Sequence, residues 1–307
     1  MDLDRIPADP GTEAALAAYM ARVSGPGTPP ELPGDADLAP ALPGTGGLPG
    51  VWVSAQGAAP ATDGVVMFVH GGGFADRRPR LVDLVAHRFS RAAALPVFAV
   101  HYRLAPHAPY PAPLEDVLAA YRGILASGVP AERVVVLGES SGGALALSAL
   151  LALRDSGTPP PACAITFSAV TDMTVSGPSA AANAATDPGV DRTLLTRLVG
   201  GYLGGARPDR APQSPLHGSL HGLPPLLMGV GGAEVLLDDT LRFAEKAAAA
   251  GSGVAVDVYE AMPHAFHIAV LDDTSPTGAR VLRRAAGWIA LRLDEAARGP
   301  GAAGSRG

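Results

Sequence analysis

Six short, largely apolar runs recur along the chain: Val65–Val69, Val97–Val100, Val134–Leu137, Ala162–Val170, Leu226–Val230 and Val254–Tyr259. A strand with one wet face alternates polar and apolar residues, and these runs do not. They fit strands buried on both faces. Helix-like segments lie between them at 81–94, 114–127, 141–154, 238–250 and 275–293. Strands and helices in alternation predict an α/β fold, with a mostly parallel central sheet and helices on both faces.

The 307 residues, 48% of them hydrophobic and 17% charged, suffice for one large α/β domain. Gly (38) and Pro (30) are in excess, and they concentrate in two places. In residues 1–50, Thr12–Val23 spaces Leu16, Tyr19, Met20 and Val23 along one helix face. Pro26, Pro29, Pro30, Pro33, Pro40, Pro43 and Pro49 then argue against regular structure. The stretch of about 171–223 interrupts the alternation and holds one predicted helix, 191–203. We expect an N-terminal flap over residues 1–50 that partners this insertion, a main α/β domain over 51–297, and a disordered tail over 298–307.

Several classes are excluded or disfavoured. No apolar run approaches the roughly 18–20 residues that span a bilayer. Met1–Arg5 is acidic and lacks the features of a secretory signal, so a cytoplasmic location is expected. The single cysteine, Cys163, excludes an intrachain disulfide and a cysteine zinc site. A net charge of −6 without a basic run gives no footprint for nucleic acid. The sequence leaves a homodimer open.

Two glycine-rich segments follow apolar runs. Gly138-Glu139-Ser140-Ser141-Gly142 stands between a strand and a helix, the context a nucleophile elbow requires, with Ser140 as nucleophile. His70-Gly71-Gly72-Gly73-Phe74 follows Val65–Val69. Three successive glycines sacrifice packing and suit a loop that turns backbone N–H groups toward a ligand. Gly72, Gly73 and Ser141 are the candidate oxyanion donors. A serine hydroxyl needs a base. His264, past the last apolar run, is the candidate and His267 its rival. Behind it a carboxylate is needed. Glu234 lies near the end of Leu226–Val230, with Asp238 as the alternative, although Asp238 and Asp239 also suit helix capping. Ser140, Glu234, His264 is the chain order of α/β hydrolases.

Over about 65–270 the chain resembles the hormone-sensitive-lipase-like (bacterial family IV) esterases of the α/β-hydrolase fold. The resemblance rests on the two segments above, Tyr102-Arg103-Leu104-Ala105-Pro106, Ser214-Pro215-Leu216, Glu234–Asp239 and Met262–Phe266. The family's elbow reads Gly-Asp-Ser-Ala-Gly; here Glu139 and Ser141 replace two of its residues. The resemblance implies a serine carboxylesterase acting on short-to-medium acyl esters, with no metal or organic cofactor and a small ester as partner. Two other readings stay open on the same residues. One is a tailoring hydrolase, an N- or O-deacetylase, or an acyl transferase or cyclase. The other is a non-catalytic small-molecule receptor.

Overall fold

A computed structural model of the chain describes residues 1–7, 11, 31–40, 50–59 and 61–298. Among the described residues nine strands form one sheet: β1 (Asp2–Ile6), β2 (Ala36–Pro40), β3 (Gly50–Ala55), β4 (Val65–Val69), β5 (Val97–Val100), β6 (Val134–Glu139), β7 (Cys163–Phe167), β8 (Leu226–Gly231) and β9 (Val254–Tyr259). Their order is β1-β9-β8-β7-β6-β4-β5-β3-β2. All neighbours are parallel except the pairs β2 with β3 and β3 with β5.

Helices α1 (Pro79–Ala93), α2 (Ala112–Ala126), α3 (Ser140–Asp155), α4 (Ser179–Ala182), α5 (Arg192–Leu203), α6 (Leu237–Ala249) and α7 (Pro276–Arg298) complete the described elements, with 3-10 turns at Ala131–Arg133, Pro215–His217 and Phe266–Leu271. The apolar runs now have a cause. Along β4, Met67 enters one core with Val117, Leu145 and Phe243 of α2, α3 and α6. Its neighbour Phe68 enters the opposite core with Phe89 of α1 and Trp288 of α7. Successive strand residues face opposite ways, so two cores demand an unbroken apolar run.

The N-terminal region departs from expectation. Asp2–Ile6, where no strand was expected, and Ala36–Pro40, within the stretch whose prolines argued against regular structure, are edge strands. Pro40 is the last residue of β2, which among the described residues pairs only with β3; an edge strand tolerates its missing N–H. The predicted helix over 12–23 lies outside the described residues, as does the expected tail beyond Arg298. The insertion after β7 holds α4, α5 and the Pro215–His217 turn. Asp191 caps α5 by accepting the Leu194 N–H at 2.7 Å.

Candidate active site

The strand β6 passes directly into α3 at Ser140, whose φ is +51°. A non-glycine residue there carries backbone strain, which the surroundings must hold. They do so by close contact. A Cβ on Gly142 would stand 2.1 Å from the Val69 carbonyl oxygen. Only glycine lets α3 begin this close to the end of β4.

Ser140 Oγ lies 3.0 Å from His264 Nε2. His264 sits in the loop after β9, and its Nδ1 faces Glu234 Oε1 at 3.5 Å. That separation is long, as such contacts often are before substrate is bound. Glu234 follows β8 and is fully buried. Its Oε2 accepts the Gly231 N–H at 2.8 Å and the Ser168 hydroxyl at 2.7 Å, which fixes the carboxylate plane. Burial pulls the His264 pKa down, but the hydrogen bond and charge of Glu234, helped by Asp187 and Glu139, outweigh it. The net direction is up from 6.5. A hydroxyl, an imidazole and a buried carboxylate in this sequence can pass a proton from oxygen to nitrogen and stabilise the imidazolium that results.

The alternatives are engaged elsewhere. Asp238 Oδ2 accepts the Ser179 N–H, across from the insertion. The rival histidine, His267, turns its Nε2 to Glu139 Oε2 in a very short contact. Three supporting groups gave no signal of spacing or composition. Ser168 follows β7 and holds Glu234. Asn183 Nδ2 donates to the Glu234 carbonyl at 2.9 Å, and Asp187 Oδ2 accepts the Val235 N–H at 3.0 Å. The position of Ser168 at a strand end was the one available hint.

Gly72 and Gly73 lie on the loop after β4 and line the same cavity as Ser140 and His264. Ser141 is the second residue of α3, where helix N–H groups lack intrahelical partners. Gly72 has a φ of +110°, and its carbonyl accepts the Asp76 N–H at 2.9 Å. His70 is buried; burial pushes its pKa down to about 4, so the ring is neutral near pH 7. It faces the Gly71 carbonyl at 2.6 Å and stacks on Tyr102 at 4.4 Å between centroids. The helix α5 closes over this loop. Phe74 stacks on Tyr202 at 4.0 Å, and a Cβ on Gly73 would meet Leu198 Cδ1 at 2.6 Å. The cavity beside it is half open to solvent, with a volume of about 380 Å³ and an apolar wall that includes Val190, Leu194, Leu198, Leu236 and Ile268. Among the described residues no cluster of His, Cys, Asp and Glu is arranged to hold a metal ion, and no helix is long and apolar enough to cross a membrane.

Comparison with known proteins agrees with this fold. Residues 66–268 match the family described as the alpha/beta hydrolase fold. An acetyl-hydrolase of Streptomyces hygroscopicus is 40% identical over 202 residues, 66% of this chain and 68% of that protein. A carboxylesterase of Mycobacterium tuberculosis, NlhH, is 30% identical over 277 residues, 87% of this chain and 86% of its own. The crystal structure of an esterase from the bacterial hormone-sensitive lipase family superposes with a TM-score of 0.84 at 34% identity, covering 93% of this chain and 99% of that one. The chain belongs to the bacterial hormone-sensitive-lipase-like esterases of the α/β-hydrolase fold and is an ester hydrolase.

Proposed function

We propose that the chain is a serine carboxylesterase working through an acyl-enzyme on Ser140. The observation that carries this is the line Ser140–His264–Glu234 at the wall of an apolar cavity. His264 takes the Ser140 proton as Oγ attacks the ester carbonyl. The N–H groups of Gly72, Gly73 and Ser141 receive the developing oxyanion. His264 then gives its proton to the leaving alcohol, and a water activated by the same imidazole releases the acid. Glu234 holds the imidazole and balances its charge. In this reading the catalytic domain is 51–297, and the insertion at about 171–223 joins the N-terminal segment as the cap.

Short-to-medium acyl groups suit a largely apolar, half-open cavity of about 380 Å³. The acetyl-hydrolase relative favours acetyl as one such group, and with it a second reading, deacetylation of an amide by the same residues. The test uses p-nitrophenyl acetate, butyrate and octanoate beside an acetanilide. Serine-reactive phosphonate should label wild-type protein at Ser140, and S140A should lose at least about 10⁴-fold in kcat on the acetate. Full turnover by S140A would defeat the proposal. Faster turnover of the anilide than of the esters would select the amide reading.

A further inference from the structure

Glu139 immediately precedes the nucleophile and is the N-cap residue of α3, yet its side chain makes no capping bond to that helix. Its carboxylate is directed elsewhere. Oε1 accepts the Gly71 N–H at 3.0 Å, at the root of the glycine loop. Oε2 meets His267 Nε2. His267 is 2% exposed and stacks on Phe167, with ring centroids 5.6 Å apart and planes 18° from parallel. It stands three residues after His264, in the Phe266–Leu271 3-10 turn that continues the base loop. One carboxylate therefore touches the loop of the oxyanion donors and the loop of the base, and its own backbone adjoins the nucleophile.

Burial pushes the Glu139 pKa up, but the charge and hydrogen bond of His267, with the Gly71 N–H, pull it further down. The group is ionised, and its partners compensate a charge that would be costly alone. Ser140, the oxyanion loop and His264 sit on three segments far apart in the chain. Catalysis needs them registered to a fraction of an ångström, because a shift of about 1 Å can cost 10²-fold in rate. Within the described contacts, Glu139 is the side chain that bonds two of these segments while belonging to the third.

We propose that Glu139 and His267 form a second carboxylate–imidazole pair that positions the site, tying the oxyanion loop and the base loop to the nucleophile elbow. Neither residue handles the substrate's proton; both are positioning residues. The inference rests on the acyl-transfer reading above.

The test measures kcat, KM and melting temperature on p-nitrophenyl acetate for full-length E139A, E139Q, H267F and the double variant E139A/H267F. E139A and H267F should each lower kcat by roughly 10- to 100-fold with KM little changed. The double variant should fall no further than the worse single, because the two act as one unit. E139Q keeps an oxygen for the Gly71 N–H and should recover most of the kcat lost in E139A. H267F keeps the stacking on Phe167 and isolates the ring nitrogen. Wild-type kcat in E139A and H267F, or losses that multiply in the double variant, overturn the proposal. If E139A does not fold, H267F decides the matter: a kcat equal to wild type overturns the proposal. S140A is assayed alongside. Turnover by S140A overturns the acyl-transfer reading itself, whereas an inactive S140A with unaffected E139 and H267 variants overturns only the tie.

Discussion

The imidazole of His264 is subject to two opposed effects, and in the proposed mechanism their balance sets the pH at which the enzyme works. Burial disfavours its charged form, while the hydrogen bond and charge of Glu234 favour it more. The free base is the working form, so kcat/KM on p-nitrophenyl acetate should rise with pH through an inflection above the ordinary imidazole value of about 6.5. E234Q removes the charge and leaves burial, so its inflection should move to lower pH. Its plateau should drop by about 10³–10⁴-fold, since the amide no longer stabilises the imidazolium. D238N should change neither, because Asp238 is bonded to Ser179. A pH profile from 5 to 9 for all three proteins checks this; loss in D238N with E234Q intact would move the acid to Asp238. At this scale the sequence was readable where a residue followed a strand. Ser140, Glu234 and His264 each sit just past an apolar run. Asn183 and Asp187 were invisible, because they act by bonds across the fold to Glu234 and Val235 that no local pattern encodes.

The glycine loop after β4 is the element whose shape matters most to the proposed chemistry. Gly72 holds φ at +110°, and a Cβ there would stand 2.1 Å from the Asp76 carbonyl oxygen, on backbone that cannot swing away. The turn closed by the Asp76 N–H on the Gly72 carbonyl would have to open. G72A should therefore lower kcat by about 10²–10³-fold, the cost of a lost oxyanion donor, with KM less affected. G57A is the control. Gly57 also has a positive φ, +83°, but open space beside it and no place in the cavity. It should cost about 1–2 kcal/mol of stability by backbone strain and leave kcat alone. Equal kcat losses in the two variants would mean that loop geometry plays no special part. Elements were legible in proportion to their burial. β4 to β9, buried between two cores, announced themselves as apolar runs. The β1 sequence, Asp-Leu-Asp-Arg-Ile, is exposed over Asp2–Arg5, so solvent placed no apolar demand on it. β3 is only partly buried and follows the Pro/Gly-rich stretch that obscured it.

Across the whole molecule, the question is what ends the sheet. β9 is buried along its full length and apolar on both faces save Asp257, which Arg284 of α7 pairs at 3.0 Å. Uncovered, its free N–H and C=O groups would template pairing with another chain. β1 covers that edge in parallel from Asp2 opposite Ala255 to Ile6 opposite Tyr259, and the Ile6 carbonyl accepts the Glu260 N–H at 2.8 Å. Three of the five residues of β1 are charged, Asp2, Asp4 and Arg5, which suits an edge that must refuse partners. Three strands, β9, β8 and β7, separate β1 from the elbow on β6. Deleting residues 1–7 should therefore spare the kcat of freshly prepared protein while aggregation accelerates steeply with concentration. Light scattering over time, beside kcat per active site titrated with a phosphonate, separates the two effects. The aggregates should show added intermolecular β-structure by infrared spectroscopy. A truncated chain that stays monodisperse would show that β9 needs no guard. An immediate fall in kcat per titrated site would instead tie β1 to His264, through the short connection from Tyr259 to the base loop.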